Sequence, residues 1–159
     1  MKGALAYAAR SLFVKRIYAK EDVCMGCRLC EIHCIVAHSR SKKIIKAFKE
    51  EFPRAIPRLL VEESGVNSFA LACRHCDDAR CLESCMTGAI YRDEKTGAVL
   101  HDAEKCVGCW MCIMTCPTGA IRRDQRQRKI ASKCDLCQGE QAPACVANCP
   151  NEALVFEER

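Results

Sequence analysis

The chain has 159 residues, 16 of them cysteine, a formal charge of +5, and an apolar share of 50% that counts those cysteines. That length fits one compact domain or two small modules, and with aromatics at only 6% the ordinary hydrophobic core is thin. A secretory leader is not expected, because Arg10, Lys15 and Arg16 interrupt the apolar stretch Ala4 to Ala9; with no twin arginine and no run near the roughly 20 apolar residues of a membrane helix, a soluble chain of a reducing, anaerobic cytoplasm with no membrane span is expected.

Residues 1–13 form an N-terminal extension in which Leu5, Ala8, Ala9 and Leu12 recur at helical spacing; a short amphipathic helix and a frayed tail fit equally. Phe13 to Ala19 alternates like an opening strand, and Glu21 and Asp22 turn the chain into a first cysteine group, Cys24, Cys27, Cys30 and Cys34. An insertion over 35–72 follows. Ser41 is a candidate cap for a helix to Phe52, with Ile44, Ile45, Phe48 and Phe52 on one face. Pro53 stops it, and a hairpin is expected from Arg58 to Glu62 and Asn67 to Ala72 around Ser64-Gly65. The helix reads by default as a solvated element packed on its module, and in the sharper reading as a docking element.

Three further groups complete the set: Cys73, Cys76, Cys81, Cys85; Cys106, Cys109, Cys112, Cys116; and Cys134, Cys137, Cys145, Cys149. Cys85-Met86-Thr87-Gly88-Ala89-Ile90, Cys116-Pro117-Thr118-Gly119-Ala120-Ile121 and Cys149-Pro150-Asn151-Glu152-Ala153-Leu154 are copies of one internal repeat that is absent after Cys34. Before the last group runs a basic stretch, Arg122, Arg123, Arg126, Arg128, Lys129 and Lys133. It reads as a solvated connection or as a docking surface for an acidic redox partner; without interleaved aromatics it does not read as a nucleic-acid site.

The first and third groups follow C-x2-C-x2-C-x3-C, in which three thiolates wrap one [4Fe-4S] cube and the fourth ligates the neighbouring cluster. A tetrahedral zinc prefers two separated pairs, so a zinc-binding interaction module is the weaker reading. Four [4Fe-4S] clusters are therefore expected. With the repeat missing after Cys34, the groups nest, the second pairing with the third and the first with the fourth. Exchange of fourth ligands then gives Cys24, Cys27, Cys30 and Cys149 for one cluster, and Cys134, Cys137, Cys145 and Cys34 for a second. The third takes Cys73, Cys76, Cys81 and Cys116, and the fourth Cys106, Cys109, Cys112 and Cys85. The expected fold is α+β, two nested bacterial-ferredoxin-like modules of small antiparallel sheets and short helices. An outer module takes 14–72 and 130–159, and an inner one 73–129. At about −2 per thiolate-bound cube, four clusters turn the formal +5 into a small net negative charge.

Around these residues the chain resembles the four-cluster ferredoxin-type electron-transfer subunits of large oxidoreductases. The wider gaps from Cys76 to Cys81 and from Cys137 to Cys145, and the Cys-Pro pairs at Cys116 and Cys149, belong to that pattern, which covers residues 14–156. The stretches Cys24-Met25-Gly26-Cys27-Arg28-Leu29-Cys30, Cys73-Arg74-His75-Cys76 and Cys106-Val107-Gly108-Cys109-Trp110-Met111-Cys112 most resemble the iron-sulfur subunit associated with carbon monoxide dehydrogenase. Small subunits of tungsten aldehyde oxidoreductases are similar too. The resemblance implies a non-catalytic relay within a hetero-oligomeric complex. Its donor would be a catalytic subunit such as carbon monoxide dehydrogenase, and its acceptor a flavin-dependent NAD(P) oxidoreductase, hydrogenase or ferredoxin. A tungsten or molybdenum aldehyde oxidoreductase or a formate dehydrogenase is the alternative setting. Met86 departs from the proline usual after that cysteine, and residues 1–13 extend beyond the pattern. His33 and His75 lie inside groups without replacing a ligand, and His38 and His101 have no recognisable partner in the sequence. No nucleotide-binding loop or nucleophile elbow is present.

Overall fold

The computed structural model describes residues 14–124 and 130–158. The amphipathic reading of residues 1–13 and the basic residues Arg126, Arg128 and Lys129 lie outside the described residues. The described strands and helices are all short, none longer than the nine residues of Leu29–Ala37. The strands are β1 (Lys15–Ala19), β2 (Leu60–Ser64), β3 (Asn67–Leu71), β4 (Ile90–Arg92), β5 (Val99–His101), β6 (Arg122–Asp124), β7 (Ile130–Ser132) and β8 (Leu154–Glu158). The helices are α1 (Leu29–Ala37), α2 (Ile44–Lys49), α3 (Arg80–Glu83), α4 (Met111–Thr115) and α5 (Ala144–Ala147).

The described strands pair as four antiparallel two-stranded sheets, β1 with β8, β2 with β3, β4 with β5 and β6 with β7. The first joins the two ends of the described chain, with Ile17 opposite Phe156 and Ala19 opposite Leu154. Isolated two-stranded sheets are marginal in water, so each depends on what packs against it. Helix α1 packs on α5, and α3 on α4. Ile17, Leu59, Val61, Ala70 and Leu154 bury against Cys30, Cys34, Cys73, Cys134 and Cys145 in one cluster. Ala79, Ile90, Val99, Ile121 and Ala131 bury against Cys112 in a second. Both cores are thus built largely from small side chains and thiols. Strand β6 pairs with β7, and Ala131 packs with the second cluster.

In the insertion, the hairpin stands where the sequence places it, with Ser64 opposite Asn67 across Gly65 and Val66. The helix is shorter than its apolar pattern implies. Glu51 accepts the Arg40 and Ser41 amides at 3.0 and 2.8 Å, and Lys43 remains extended, so helical geometry begins at Ile44. Only Ala47 of α2 is buried, while Ile44, Ile45 and Phe52 face solvent. The helix does rest against α1, as the default reading has it, with Ala47 and not the apolar face buried. Phe48 is covered by the Arg54 guanidinium, 4.6 Å from its ring centroid.

Ile17 is 2% exposed on the strand that closes the chain. Truncation to Ala is expected to cost about 2–5 kcal/mol, the usual range for a large-to-small core change. Anaerobic denaturant unfolding followed by circular dichroism should show the fall in midpoint, and an unchanged midpoint would remove β1–β8 from the structures on which stability depends.

Candidate metal centres

All sixteen cysteines are free thiols. Cys24, Cys27, Cys30 and Cys149 line one cavity, walled by Val61, Ala70 and Leu154. Cys85, Cys106, Cys109 and Cys112 line another, beside Ile90, Trp110 and His101. In each, three thiols come from one loop and the fourth from a distant segment. The other eight influence one another electrostatically. Cys81 is pushed up by burial and by its neighbours Cys73, Cys116 and Cys76, against the opposing charge of Lys133. Cys145 is pushed up by burial and by Cys134, Cys34 and Cys137.

The backbone explains how such loops close. The residue before the second cysteine of every group is left-handed: Gly26 (φ 65°), His75 (φ 45°), Gly108 (φ 71°) and Leu136 (φ 59°). Alternating left- and right-handed residues turn successive amides toward one concavity, an arrangement found at phosphate and iron–sulfur sites. Arg28 and Trp110 are left-handed as well and launch α1 and α4. At Gly26 a Cβ would also come within 3.3 Å of Ser68 Oγ, and Ser68 donates to Cys24 O at 2.8 Å.

The repeat after each fourth cysteine is one turn used three times. Gly88, Gly119 and Glu152 are left-handed and donate their amides to the carbonyls of Cys85, Cys116 and Cys149 at 3.2, 3.3 and 3.2 Å. The chain is thereby aimed back at the sulfur. Ala153 N donates to Cys149 Sγ at 3.2 Å, and Thr118 Oγ1 lies 3.5 Å from Cys116 Sγ. Burial raises Cys85 and Cys116, but amide and threonine hydrogen bonds outweigh it and hold both thiols below the usual range. Cys34 lacks the repeat, and the insertion takes its place: Arg58 N donates to Cys34 Sγ at 3.2 Å.

The insertion also clamps the first loop. Arg28 Nη2 lies 2.9 Å from Glu63 Oε1, and Val61 N donates to Glu31 Oε1 at 2.7 Å. His38, without a partner in the sequence reading, is hydrogen-bonded to Cys34 O at 2.8 Å and to Asp135 Oδ1 at 3.1 Å. Arg58 Nη1 meets the same carboxylate at 2.5 Å. Burial pulls His38 down, yet its bonds to Asp135 and Cys34 prevail and raise it to about 9. Burial raises Asp135, but His38 and Arg58 hold it far below the ordinary carboxylate value.

Lys133 is the largest departure from the sequence reading. Grouped there with a solvated basic run, it is 2% exposed and donates from Nζ to Cys73 Sγ at 3.1 Å and to Val99 O at 2.5 Å. Nothing in sequence separates it from Arg122 or Arg123. His75 is buried too: Val99 N donates to its Nδ1 at 3.1 Å, which leaves the ring hydrogen on Nε2, where no partner is found. Burial and Lys133 hold His75 down to about 3, hence neutral. His101 Nε2 is likewise buried without a hydrogen-bond partner, at the wall of the second cavity.

The donor set fits iron–sulfur clusters. Burial raises Cys30 to about 12 and Cys112 to about 11, with neighbouring thiols adding to both and a Glu31 backbone bond opposing at Cys30. Crowded neutral thiols of this kind become thiolates only when a metal takes the proton's place, so binding releases protons and supplies folding free energy. Inward amides and an orphaned imidazole N–H are donors suited to thiolate and sulfide.

Residues 65–159 match the family described as 4Fe-4S dicluster domain. The chain is 38% identical to the electron transport protein HydN of Escherichia coli (strain K12), over 90% of this chain and 87% of that one. It is 34% identical to the thiosulfate reductase electron transfer subunit PhsB of Salmonella typhi, over 86% and 71%. Among solved structures it is similar to a chain of the active site complex BamBC of benzoyl coenzyme A reductase, with a TM-score of 0.50 and 25% identity over 92% of this chain and 78% of that one.

Asp135 meets both Arg58 and His38 at a half-buried position. Asp135→Asn is expected to cost about 1–2 kcal/mol, the range for hydrogen bonds to a charged group less solvent screening. The sign with pH follows from the two shifts. The depressed Asp135 contributes above its unfolded value near 3.9 and loses that contribution in acid. The raised His38 contributes fully below about 6.5 and loses it as pH passes about 9. Denaturation midpoints of both proteins at pH 7 and 10 should show the gap narrowing without closing, because Arg58 stays charged.

Proposed function

The chain belongs to the 4Fe-4S dicluster family of ferredoxin-type electron-transport proteins, and on that premise we propose that it relays single electrons through four [4Fe-4S] clusters between a catalytic oxidoreductase subunit and a redox acceptor. The observation that carries the reading is the crossing of fourth thiols. Cys149 lines a cavity with Cys24, Cys27 and Cys30, and Cys85 lines one with Cys106, Cys109 and Cys112. We assign those as two ligand sets, and Cys73, Cys76, Cys81, Cys116 and Cys134, Cys137, Cys145, Cys34 as the other two, supported by their mutual electrostatic influence. Each cluster, once bound, supplies a one-electron centre. The protein's residues set where those centres sit and what surrounds them.

The order along the relay follows from which thiols feel one another across sets. Cys145 feels Cys30, Cys134 feels Cys73, and Cys112 feels Cys81. The series thus runs from the Cys24 set through the Cys134 and Cys73 sets to the Cys106 set. Exposure supports the same ends. Cys27 and Cys109 are the exposed thiols, flanked by exposed Met25 and by Val107 and Met111. These two ends are the contact points for partners, and we assign the chain to a hetero-oligomeric complex on that ground. Likeness to a chain of an active-site complex favours direct seating against a catalytic subunit. The motif resemblance around Cys24 to Cys30, Cys73 to Cys76 and Cys106 to Cys112 makes carbon monoxide dehydrogenase our first choice of donor, with a flavoprotein, hydrogenase or ferredoxin as acceptor; co-purification with a tungsten or molybdenum enzyme instead would replace that choice. In the nested assignment the outer module is 14–72 with 130–159, and the inner 73–129.

Two measurements test this. Cys116→Ser should perturb the cluster held by Cys73, Cys76 and Cys81 and spare both outer ones, by iron content and site-resolved spectroscopy; loss at Cys106, Cys109 and Cys112 would sink the crossed assignment. In the intact complex, removing a ligand of an interior cluster should leave reduction of a small dye by the catalytic partner largely unchanged while abolishing delivery to the physiological acceptor. Equal loss of both would mean an assembly role.

A further inference from the structure

The nitrogen of Lys133 lies at the seam between two of the proposed ligand sets. Lys133 immediately precedes Cys134, which is buried and feels Cys73, and its ammonium donates to Cys73 Sγ at 3.1 Å and to Val99 O at 2.5 Å. With 2% exposure, that charge is screened much less than one on the surface. Among the described residues no carboxylate forms an ion pair with it, so the anionic partner a buried ammonium needs is the sulfur of Cys73.

The other donors to cysteine sulfur are of a different kind. Ala153, Arg58 and Leu136 offer neutral backbone amides, and Thr118 a hydroxyl. His38 approaches Cys34 Sγ only at 3.8 Å, and its charge is matched by Asp135 at 3.1 Å. Arg123 lies over the Trp110 ring at 4.7 Å on an exposed position. Lys133 alone of these brings a buried cation to a ligand sulfur without a carboxylate beside it.

We propose that Lys133 is the residue that sets the reduction potential at the middle of the relay, making the centre held by Cys73, Cys76, Cys81 and Cys116 easier to reduce than its burial would otherwise allow. Burial in apolar surroundings disfavours the added negative charge of the reduced level. A fixed cation at the sulfur attracts that level more than the oxidised one, because Coulomb energy scales with charge and is screened less at a buried site than at the surface. The change is one electron in or out, with no proton required. Cys134, the next residue along, takes a smaller share of the same field. Lys133 therefore keeps the passage between the two halves of the chain from becoming the uphill step.

The inference rests on the ligand sets proposed above, and its test separates the two. Lys133→Gln keeps a donor of similar reach and removes the charge; Lys133→Arg keeps the charge. Each iron-loaded chain is titrated anaerobically with the clusters resolved by electron paramagnetic resonance, at matched iron content. Lys133→Gln should move the reduction equilibrium of the Cys73 centre at least tenfold toward the oxidised form, about 59 mV for one electron, shift the Cys134 centre less, and leave the Cys24 and Cys106 centres in place. Lys133→Arg should restore most of the shift. Unchanged potentials in loaded Lys133→Gln, or an equal shift of all four, would overturn the proposal. A chain that loads iron only with Lys or Arg at 133 would also overturn it, in favour of an assembly role. Failure of the ligand sets appears separately, as iron lost from the wrong centre in Cys116→Ser.

Discussion

Buried thiols gathered from distant parts of the chain are the constraint around which the other elements are arranged. A thiol at 4% exposure such as Cys145, crowded by three others, has no favourable charged state of its own. Its position makes sense only if a metal occupies the place of the protons, and the fold is then as much a consequence of cluster binding as of apolar burial. Helices of four or five residues, such as α3, α4 and α5, have no stability alone; each holds a cysteine aimed at a centre, and the centre holds the helix. The pairing of β1 with β8 has the same logic at a larger scale, since Cys24 follows one strand and Cys149 precedes the other.

What the sequence makes legible is what repeats. Four cysteine groups in register locate the thiol clusters, and the copies after Cys85, Cys116 and Cys149 forecast a shared turn that the three left-handed residues Gly88, Gly119 and Glu152 realise. Gly26 and Gly108 carry a signal that was available and went unread. Aligned on their cysteines, they mark a left-handed position that His75 and Leu136 also adopt despite their side chains. Local turn chemistry at Ser64-Gly65 placed the hairpin correctly. Side-chain partners far apart in the chain carry no such mark. Lys133 meets Cys73 sixty residues away, and His38 meets Asp135 ninety-seven away, separations over which a charge or an imidazole carries no local mark of its partner. The apolar face of α2 misled for the opposite reason, because periodicity reports what a helix can bury and not whether anything lies beneath it.

Charge follows from the same chemistry. A basic excess that would ordinarily point to a polyanionic partner is opposed from inside by thiolate-bound clusters of about −2 each. Some of the compensating charge is not on the surface at all. Lys133 is buried at a sulfur, and the imidazolium of His38 and the guanidinium of Arg58 converge on Asp135 between Cys134 and Cys137. Exposed basic residues remain on the surface, Lys42 and Lys43 just before α2 and Lys46 and Lys49 within it.

The insertion divides between these two roles. Its base replaces the missing repeat, since the Arg58 amide gives Cys34 the hydrogen bond that Ala153 gives Cys149, and its hairpin braces the first ligand loop through Glu63, Ser68 and Val61. Its tip does neither. There Ile44, Ile45 and Phe52 stand exposed beside the lysines of α2. A segment that merely filled space would show no such division: the residues nearest the thiols are committed by hydrogen bonds, and commitment falls away with distance from them. Changes at Arg58 or Ser68 therefore act on the metal centres, whereas changes at Ile45 act on whatever the surface meets, and an insertion of this kind lets the second vary without disturbing the first.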